Sequence, residues 1–303
     1  MQFLAYILIY PFLWIISILP FKLLYAFSDG LYVLLYYILG YRRKTVKENL
    51  DLVFPNMSES EKKRVIKTFY HHLCDMIVEA IKSLTISESE MKKRFAFTNL
   101  EVIQKLVDQD KSIALMCAHY ASWEWLFVLQ SYFDVKGYAV YKQLRNKYFD
   151  KLVKKVRAKY NSYLITTKET VPTLMRAKAQ GNLTICGFAS DQSPKIQNTH
   201  HWADFMGITV PVFTGAEMLS KRIDMSVVFF AVKKVRRGYY QTTFELLAEN
   251  PKTFDNYEIT DLFLRKVEAQ IIEAPEYYLW THKRWKHRDK VPYEYQQRGC
   301  LKS

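Results

Sequence analysis

The hydrophobic pattern divides the chain near residue 41. From Phe3 to Phe21 nineteen residues carry no charge, and between Met1 and Tyr41 only Lys22 and Asp29 are charged. A run of that length is what ~30 Å of hydrocarbon asks of a helix. It lacks the basic n-region and small-residue cleavage site of a secretory signal. Pro11 and Pro20 predict a kink or a re-entrant turn, and a second apolar run, Leu31 to Leu39, follows. Arg42, Arg43, Lys44 and Lys47 come directly after it, which by the positive-inside rule leaves the remaining chain in the cytoplasm. The expectation is an N-terminal membrane anchor, residues 1–41, ahead of a cytoplasmic domain, residues 42–303. A buried pair of core helices is the competing reading.

Beyond the apolar block, helical and strand periods alternate. Glu59 to Leu84 has a helical stripe of Val65, Ile66, Phe69, Leu73, Ile77 and Ile81, with Ser58 as its N-cap. Lys111 to Ala118 reads as a short buried strand, Trp123 to Tyr132 as a helix and Gly137 to Tyr141 as a strand. Lys147 to Tyr160 predicts a basic helix with an apolar stripe at Phe149, Leu152, Val156 and Tyr160. Leu183 to Phe188 is again a buried strand, and Val227 to Val232 and Tyr239 to Leu246 flank a turn near Gly238. Asp261 to Glu273 predicts a helix. An aromatic-basic tail begins at Tyr277, with Trp280 and Trp285 available to a membrane interface. This alternation predicts an α/β fold, a layered sheet flanked by helices.

Composition narrows the class. With 9 Gly and 9 Pro in 303 residues, and half of the chain hydrophobic, linker-rich and disordered classes are excluded. A net charge of +14 calls for an anionic partner: nucleic acid, anionic lipid or an acidic protein. The basic residues are scattered and no nucleic-acid motif is present, so the apolar N-terminus favours the lipid surface over nucleic acid. Cys74, Cys117, Cys186 and Cys300 show neither zinc nor disulfide spacing and fit a reducing compartment. His71, His72, Cys74 and Asp75 crowd together. Successive helical residues point ~100° apart, however, so they do not converge on one metal ion.

The sharpest chemical signal follows the first buried strand, in His119-Tyr-Ala-Ser-Trp-Glu124. A histidine at the carboxyl end of such a strand sits in the crevice where open α/β sheets bind ligands. A carboxylate five residues on can accept the imidazole N–H and strengthen the ring as a base. That geometry requires His119 in the turn and Glu124 inside the following helix. Cys117 offers a rival Cys/His nucleophile, but it is embedded in an apolar strand where a thiol is inert.

These residues and several further blocks give the chain a family resemblance along nearly its whole length. The blocks are Arg43, Asn49-Leu50, Val53-Phe54-Pro55, Ser58 to Glu61 and Glu79; His119 with Glu124; Tyr141-Lys142-Gln143-Leu144 with Asn146, Asp150 and Arg157; and Asp191-Gln192. Phe205-Met206-Gly207, Thr214-Gly215, and Ala274 to Trp280 with His282, Arg284, Trp285 and Lys286 complete the set. In this order the chain resembles the late acyltransferases of bacterial lipid A biosynthesis, the lauroyl and myristoyl transferases. It departs from their pattern at Lys142 and Gln143, where the family has arginine and proline.

The resemblance implies a glycerolipid-acyltransferase-like fold on the inner membrane. It also implies transfer of a fatty acyl group from an acyl carrier protein thioester to a hydroxyl of a lipid A precursor, without metal or cofactor. Another membrane lipid as acceptor, such as an aminolipid or phospholipid, and a non-catalytic basic membrane scaffold remain the alternatives. His119 would deprotonate the hydroxyl, Glu124 would orient His119, and Arg157 or a backbone N–H near Ala121 would hold the oxyanion. Asp191 either positions Arg157 or is a structural strand-end residue. Tyr141, Lys142, Asn146, Asp150, Asp191 and Gln192 would contact substrate. The eight basic residues between Lys142 and Lys159, against Asp150 alone, would face acidic carrier protein or lipid phosphates.

Overall fold

A computed structural model describes residues 1–295; Cys300 lies outside the described residues. The chain opens with α1 (Gln2–Ile18) and α2 (Phe21–Tyr32), the latter running into a π-helical turn over Val33–Ile38, then α3 (Arg43–Val53) and α4 (Glu59–Lys82). Next come α5 (Glu88–Arg94), β1 (Phe95–Phe97), α6 (Glu101–Asp108), β2 (Ile113–Cys117) and a 3-10 helix over Glu124–Tyr132. β3 (Lys136–Tyr141), α7 (Lys147–Ala158), β4 (Ser162–Thr166), α8 (Thr167–Ala179) and β5 (Thr184–Ala189) follow. A small ribbon, β6 (Trp202–Phe205) and β7 (Ile208–Pro211), precedes α9 (Gly215–Ile223), β8 (Ser226–Arg236), β9 (Tyr239–Ala248) and α10 (Glu258–Glu273).

Seven strands form one mixed sheet in the order β1-β9-β8-β2-β5-β3-β4, flanked by helices. β8, β2, β5, β3 and β4 run parallel, while β9 pairs antiparallel with β8 and carries β1 at the edge. All five residues of β2 are buried, as a central strand covered on both faces requires. Local signals set the helix starts. Ser58 and Glu61 form a reciprocal capping box on α4, Thr166 and Glu169 do the same on α8, and Asn146 Oδ1 accepts from the first N–H groups of α7.

The N-terminal block differs from a simple spanning anchor. Among the described residues no single helix is long and apolar enough to cross a membrane; a pair over Phe21–Ile38 and Arg43–Val53 passes that test together but is bent by 83°. The charge-free run ends as a helix at Ile18, because Pro20 and the extended Leu19 break it, leaving α1 about 25 Å long. α1 exposes an apolar surface (Phe12 is 67 % exposed), yet both its ends are tied to the rest of the chain. Asn146 Nδ2 donates to the Gln2 carbonyl, and Lys82 Nζ donates to the carbonyls of Ser17 (2.7 Å) and Leu19 (2.8 Å). α2 packs along α4, where Tyr25 Oη donates to Glu79 Oε1 (2.8 Å) and Ser28 Oγ to Asp75 Oδ1 (2.8 Å).

The aromatic-basic tail also differs from expectation. Trp280, Arg284 and Trp285 are fully buried rather than offered to an interface: Trp285 stacks on Phe205, Arg284 lies over the same ring, and Trp280 meets Phe54 edge-on.

Beneath α2 the buried Glu79 carboxyl accepts from Tyr25 and from Tyr240 Oη (2.9 Å). Burial first, and then the nearby Asp75 charge, push it up to about 7. The folded protein therefore holds a proton that the unfolded chain releases above the ordinary value of 4.5. The stability contributed is present below that pH and is lost as pH rises through about 7. Glu79→Gln should flatten the fall in stability between pH 5 and pH 8 by about 2 kcal/mol. Denaturant titrations at the two pH values check this; an unchanged slope would mean that Glu79 is ionised throughout.

Candidate active site

The site is built at the carboxyl ends of β2 and β5. These strands pair in parallel with Cys117 opposite Ala189, so the residues two positions beyond, His119 and Asp191, fall side by side. Asp191 Oδ1 accepts from both the His119 backbone N–H (3.1 Å) and the His119 Nδ1–H (2.7 Å). Facing a carboxylate fixes the proton on Nδ1 and leaves Nε2 as the basic nitrogen. The Asp191 side chain is only 1 % exposed, whereas His119 keeps 21 % of its side chain accessible. Burial alone would lower the imidazole, but the Asp191 charge and hydrogen bond, with help from Glu124, outweigh it and raise His119 above its ordinary value. Burial works against the ionised Asp191 too, and His119 with the two N–H bonds holds it below the usual carboxylate range.

The turn that carries His119 is fixed from two sides. Ala121 takes a left-handed φ of 47°, uncommon for a residue with a side chain. Its N–H donates to the Tyr277 carbonyl (2.9 Å) and its carbonyl accepts from His72 Nε2 (3.0 Å). Leu279 N–H donates to the His119 carbonyl (3.1 Å), and Tyr120 bridges to Tyr278. His72 is itself held by Lys234 Nζ on its Nδ1 (3.1 Å), and Lys234 and Arg237 both engage Asp75. His72 and Asp75 of the His71–Asp75 cluster are thus braces for α4 and the histidine turn.

Glu124 does not touch the imidazole ring nitrogen engaged by Asp191. Its Oε2 accepts from Arg157 Nη2 at 2.5 Å, across from α7 to the start of the 3-10 helix. The left-handed turn at Ala121 and the replacement of the expected α-helix by a 3-10 helix redirect Glu124 toward α7. Asp191, expected beside Arg157 or as a structural strand end, is instead the partner of His119. The Ala121 N–H, expected near an oxyanion, is committed to the Tyr277 carbonyl. Arg157 remains, next to an apolar cleft between the 3-10 helix and the sheet lined by Leu126, Phe127, Leu129, Tyr138 and Ile185.

The second block divides into scaffold and surface. Asp150 accepts from Tyr141 Oη (3.0 Å) and from the Leu144 N–H (2.9 Å), while Asn146 caps α7 and reaches Gln2. Tyr141, Asn146 and Asp150 therefore shape the loop that leads into α7, and Lys142 is exposed on it. Gln192 is half-buried beside Asp191. Cys117 is buried, and burial followed by the Asp191 charge pushes its thiol up to about 12, so it carries no thiolate near neutral pH.

A mixed, mostly parallel α/β sheet with a carboxylate-held histidine at its strand ends, and an arginine–glutamate pair beside an apolar cleft, suits acyl transfer. Residues 1–287 match the family described as bacterial lipid A biosynthesis acyltransferase, and the chain belongs to it: the protein is an acyltransferase of that family. It is 26 % identical to the lipid A biosynthesis lauroyltransferase of Escherichia coli K12, covering 93 % of this chain and 92 % of that protein. It is 22 % identical to the lipid A biosynthesis palmitoleoyltransferase of the same organism, covering 91 % of this chain and 89 % of the relative. Lipid A biosynthesis acyltransferase 2 of Shigella flexneri is 22 % identical over 82 % of this chain and 78 % of its own.

Two substitutions separate the roles at the strand ends. Asp191→Asn should lower turnover by at least ~10²-fold, because the amide no longer fixes the Nδ1 proton or stabilises an imidazolium. Cys117→Ala should keep most activity, and a folded Cys117→Ala protein without turnover would reinstate the thiol as nucleophile.

Proposed function

We propose that this acyltransferase moves a fatty acyl group from an acyl carrier protein thioester to a hydroxyl of a lipid A precursor, at the cytoplasmic face of the inner membrane. The observation that carries this reading is His119, polarised by Asp191 on one nitrogen and accessible on the other, beside the Glu124–Arg157 pair. His119 Nε2 takes the proton of the acceptor hydroxyl as its oxygen attacks the thioester carbonyl. The resulting tetrahedral oxyanion is met by the Arg157 guanidinium, which Glu124 holds in place. Collapse breaks the carbon–sulfur bond, and the imidazolium returns its proton to the departing carrier thiolate. Glu124 and Arg157 both line the small apolar cleft between the 3-10 helix and the sheet.

The surface supports the same assignment of partners. Lys147, Lys151 and Lys155 repeat at helical spacing on the exposed side of α7, where an acidic carrier or lipid phosphates would be attracted. Exposed apolar side chains on α1 place a lipid-compatible surface beside them, with Phe3 and Tyr6 of α1 packed on Tyr148 and Phe149 of α7. An in-plane α1 would thus keep the active site at headgroup depth.

The test is mass spectrometry of product formed from acyl carrier protein thioester and lipid A precursor in phospholipid vesicles. Glu124→Gln should cost at least ~10²-fold in turnover without loss of fold. Arg157→Lys should lose most activity, since lysine lacks the planar fork, whereas Lys155→Arg should be nearly silent. Transfer only to a phospholipid or aminolipid would overturn the acceptor. A His119→Ala protein that still acylated the precursor would overturn the mechanism.

A further inference from the structure

The His71–Asp75 cluster, which does not converge on a metal ion, sets one imidazole against the turn that carries His119. His72 is 2 % exposed, and both of its ring nitrogens are engaged. Nε2 lies 3.0 Å from the Ala121 carbonyl oxygen, and Nδ1 lies 3.1 Å from Lys234 Nζ. These partners dictate the tautomer. A lysine ammonium can only donate, so Nδ1 accepts; a carbonyl can only accept, so the proton sits on Nε2. Lys234, with 10 % of its side chain accessible, is also tied to Asp75 Oδ2 (3.5 Å) and lies over the Tyr277 ring, 5.5 Å from its centroid. That ring meets the His72 imidazole edge-on at 4.9 Å, and the Tyr277 carbonyl accepts the Ala121 N–H (2.9 Å). Both polar groups of the left-handed Ala121 are therefore claimed by one cluster.

We propose that Lys234 and His72 are positioning residues for acyl transfer: Lys234 fixes the tautomer that lets His72 grip the Ala121 peptide, and that grip aims the His119 ring. This rests on the reading of His119 as the general base. With the proton on Nδ1 instead, the Nε2 lone pair would face the Ala121 carbonyl oxygen and push the turn open. A charged imidazole would set a second N–H against the Lys234 ammonium, and burial together with that ammonium holds His72 well below its ordinary value. The left-handed φ of 47° at Ala121 is a conformation that persists only where neighbours impose it. His119 lies two residues upstream, so relaxation of Ala121 moves the ring relative to Asp191 and the Glu124–Arg157 pair. A displacement of about 1 Å in such a group is enough to cost ~10²-fold in rate. Asp75 retains Arg237 (2.7 Å) and Ser28 (2.8 Å) without Lys234, so a change at Lys234 reads the imidazole rather than the carboxylate.

Two measurements on the full chain in detergent test this. ¹⁵N-histidine spectra, with the His72 signals assigned by their loss in His72→Gln, should show a neutral ring protonated on Nε2, and Lys234→Met should let the Nδ1–H form appear. Kinetics with acyl carrier protein thioester and lipid A precursor should show kcat down at least ~10-fold in His72→Leu, with KM within about twofold of wild type. His72→Gln, whose amide N–H stands close to the place of Nε2, should recover most of that loss; a packing role alone would not favour glutamine over leucine at a buried position. Lys234→Met should lower kcat too, and in the His72→Leu background it should add little, because the two residues act through one contact. A folded His72→Leu protein with wild-type kcat, or a wild-type His72 protonated on Nδ1, would overturn the proposal. Should His72→Leu fail to fold, Lys234→Met decides by the same kcat criterion. A wild type that transfers no acyl group would overturn the functional reading and the positioning role with it, while the spectra still decide the tautomer.

Discussion

The site depends on the register of two neighbouring parallel strands. His119 and Asp191 are 72 residues apart, and they meet only because β2 and β5 pair with Cys117 opposite Ala189. A slip of one residue would turn one of the two side chains to the far face of the sheet and dissolve the pair. What prevents the slip is apolar burial: β2 is buried throughout and β5 and β8 flank it with Ile185, Phe188, Val227, Val228 and Phe229 in the same core. A hydrophobic sheet thus does the positioning for one polar contact of 2.7 Å.

A second layer of polar contacts joins the N-terminal helices to this frame. Asp29 and Tyr25 of α2, Asp75, Glu79 and His72 of α4, and Lys234 and Arg237 at the end of β8 form one connected set that ends on the Ala121 carbonyl. The apolar N-terminus is consequently part of the folded body, with α2 wired to the histidine turn and α1 seated on the helix that presents Arg157. Ion pairs this enclosed hold geometry more than they add stability, since desolvation offsets much of their attraction.

Elements whose cause is local were legible in the sequence. The α4 and α7 helices announce themselves by caps and stripes, and β2, β5, β8 and β9 by short apolar runs between polar breaks. Two kinds of error came from non-local causes. Glu124 is close to His119 in sequence, but the left-handed Ala121 and the 3-10 geometry after it hand Glu124 to Arg157. Asp191 is distant in sequence, and only the knowledge that β2 and β5 are neighbours reveals it as the histidine's partner. A signal did exist: each of these buried strands is followed, two residues past its end, by an ionisable side chain. The aromatic tail misled because tryptophans near basic residues suit a membrane interface and a core strap equally well, and only packing against Phe205 decides.

The left-handed alanine at the histidine turn makes the aim of the ring depend on two distant segments at once. A non-glycine residue in that region costs on the order of 1 kcal/mol and persists only where its surroundings impose it. At Ala121 those surroundings are His72 from the early part of the chain and Tyr277 from its far end. The sheet register and the arginine–glutamate pair do not use those two contacts, so neither by itself sets the turn. The aim of the imidazole is thereby tied to docking of the Tyr277–Leu279 strap as well as to the sheet.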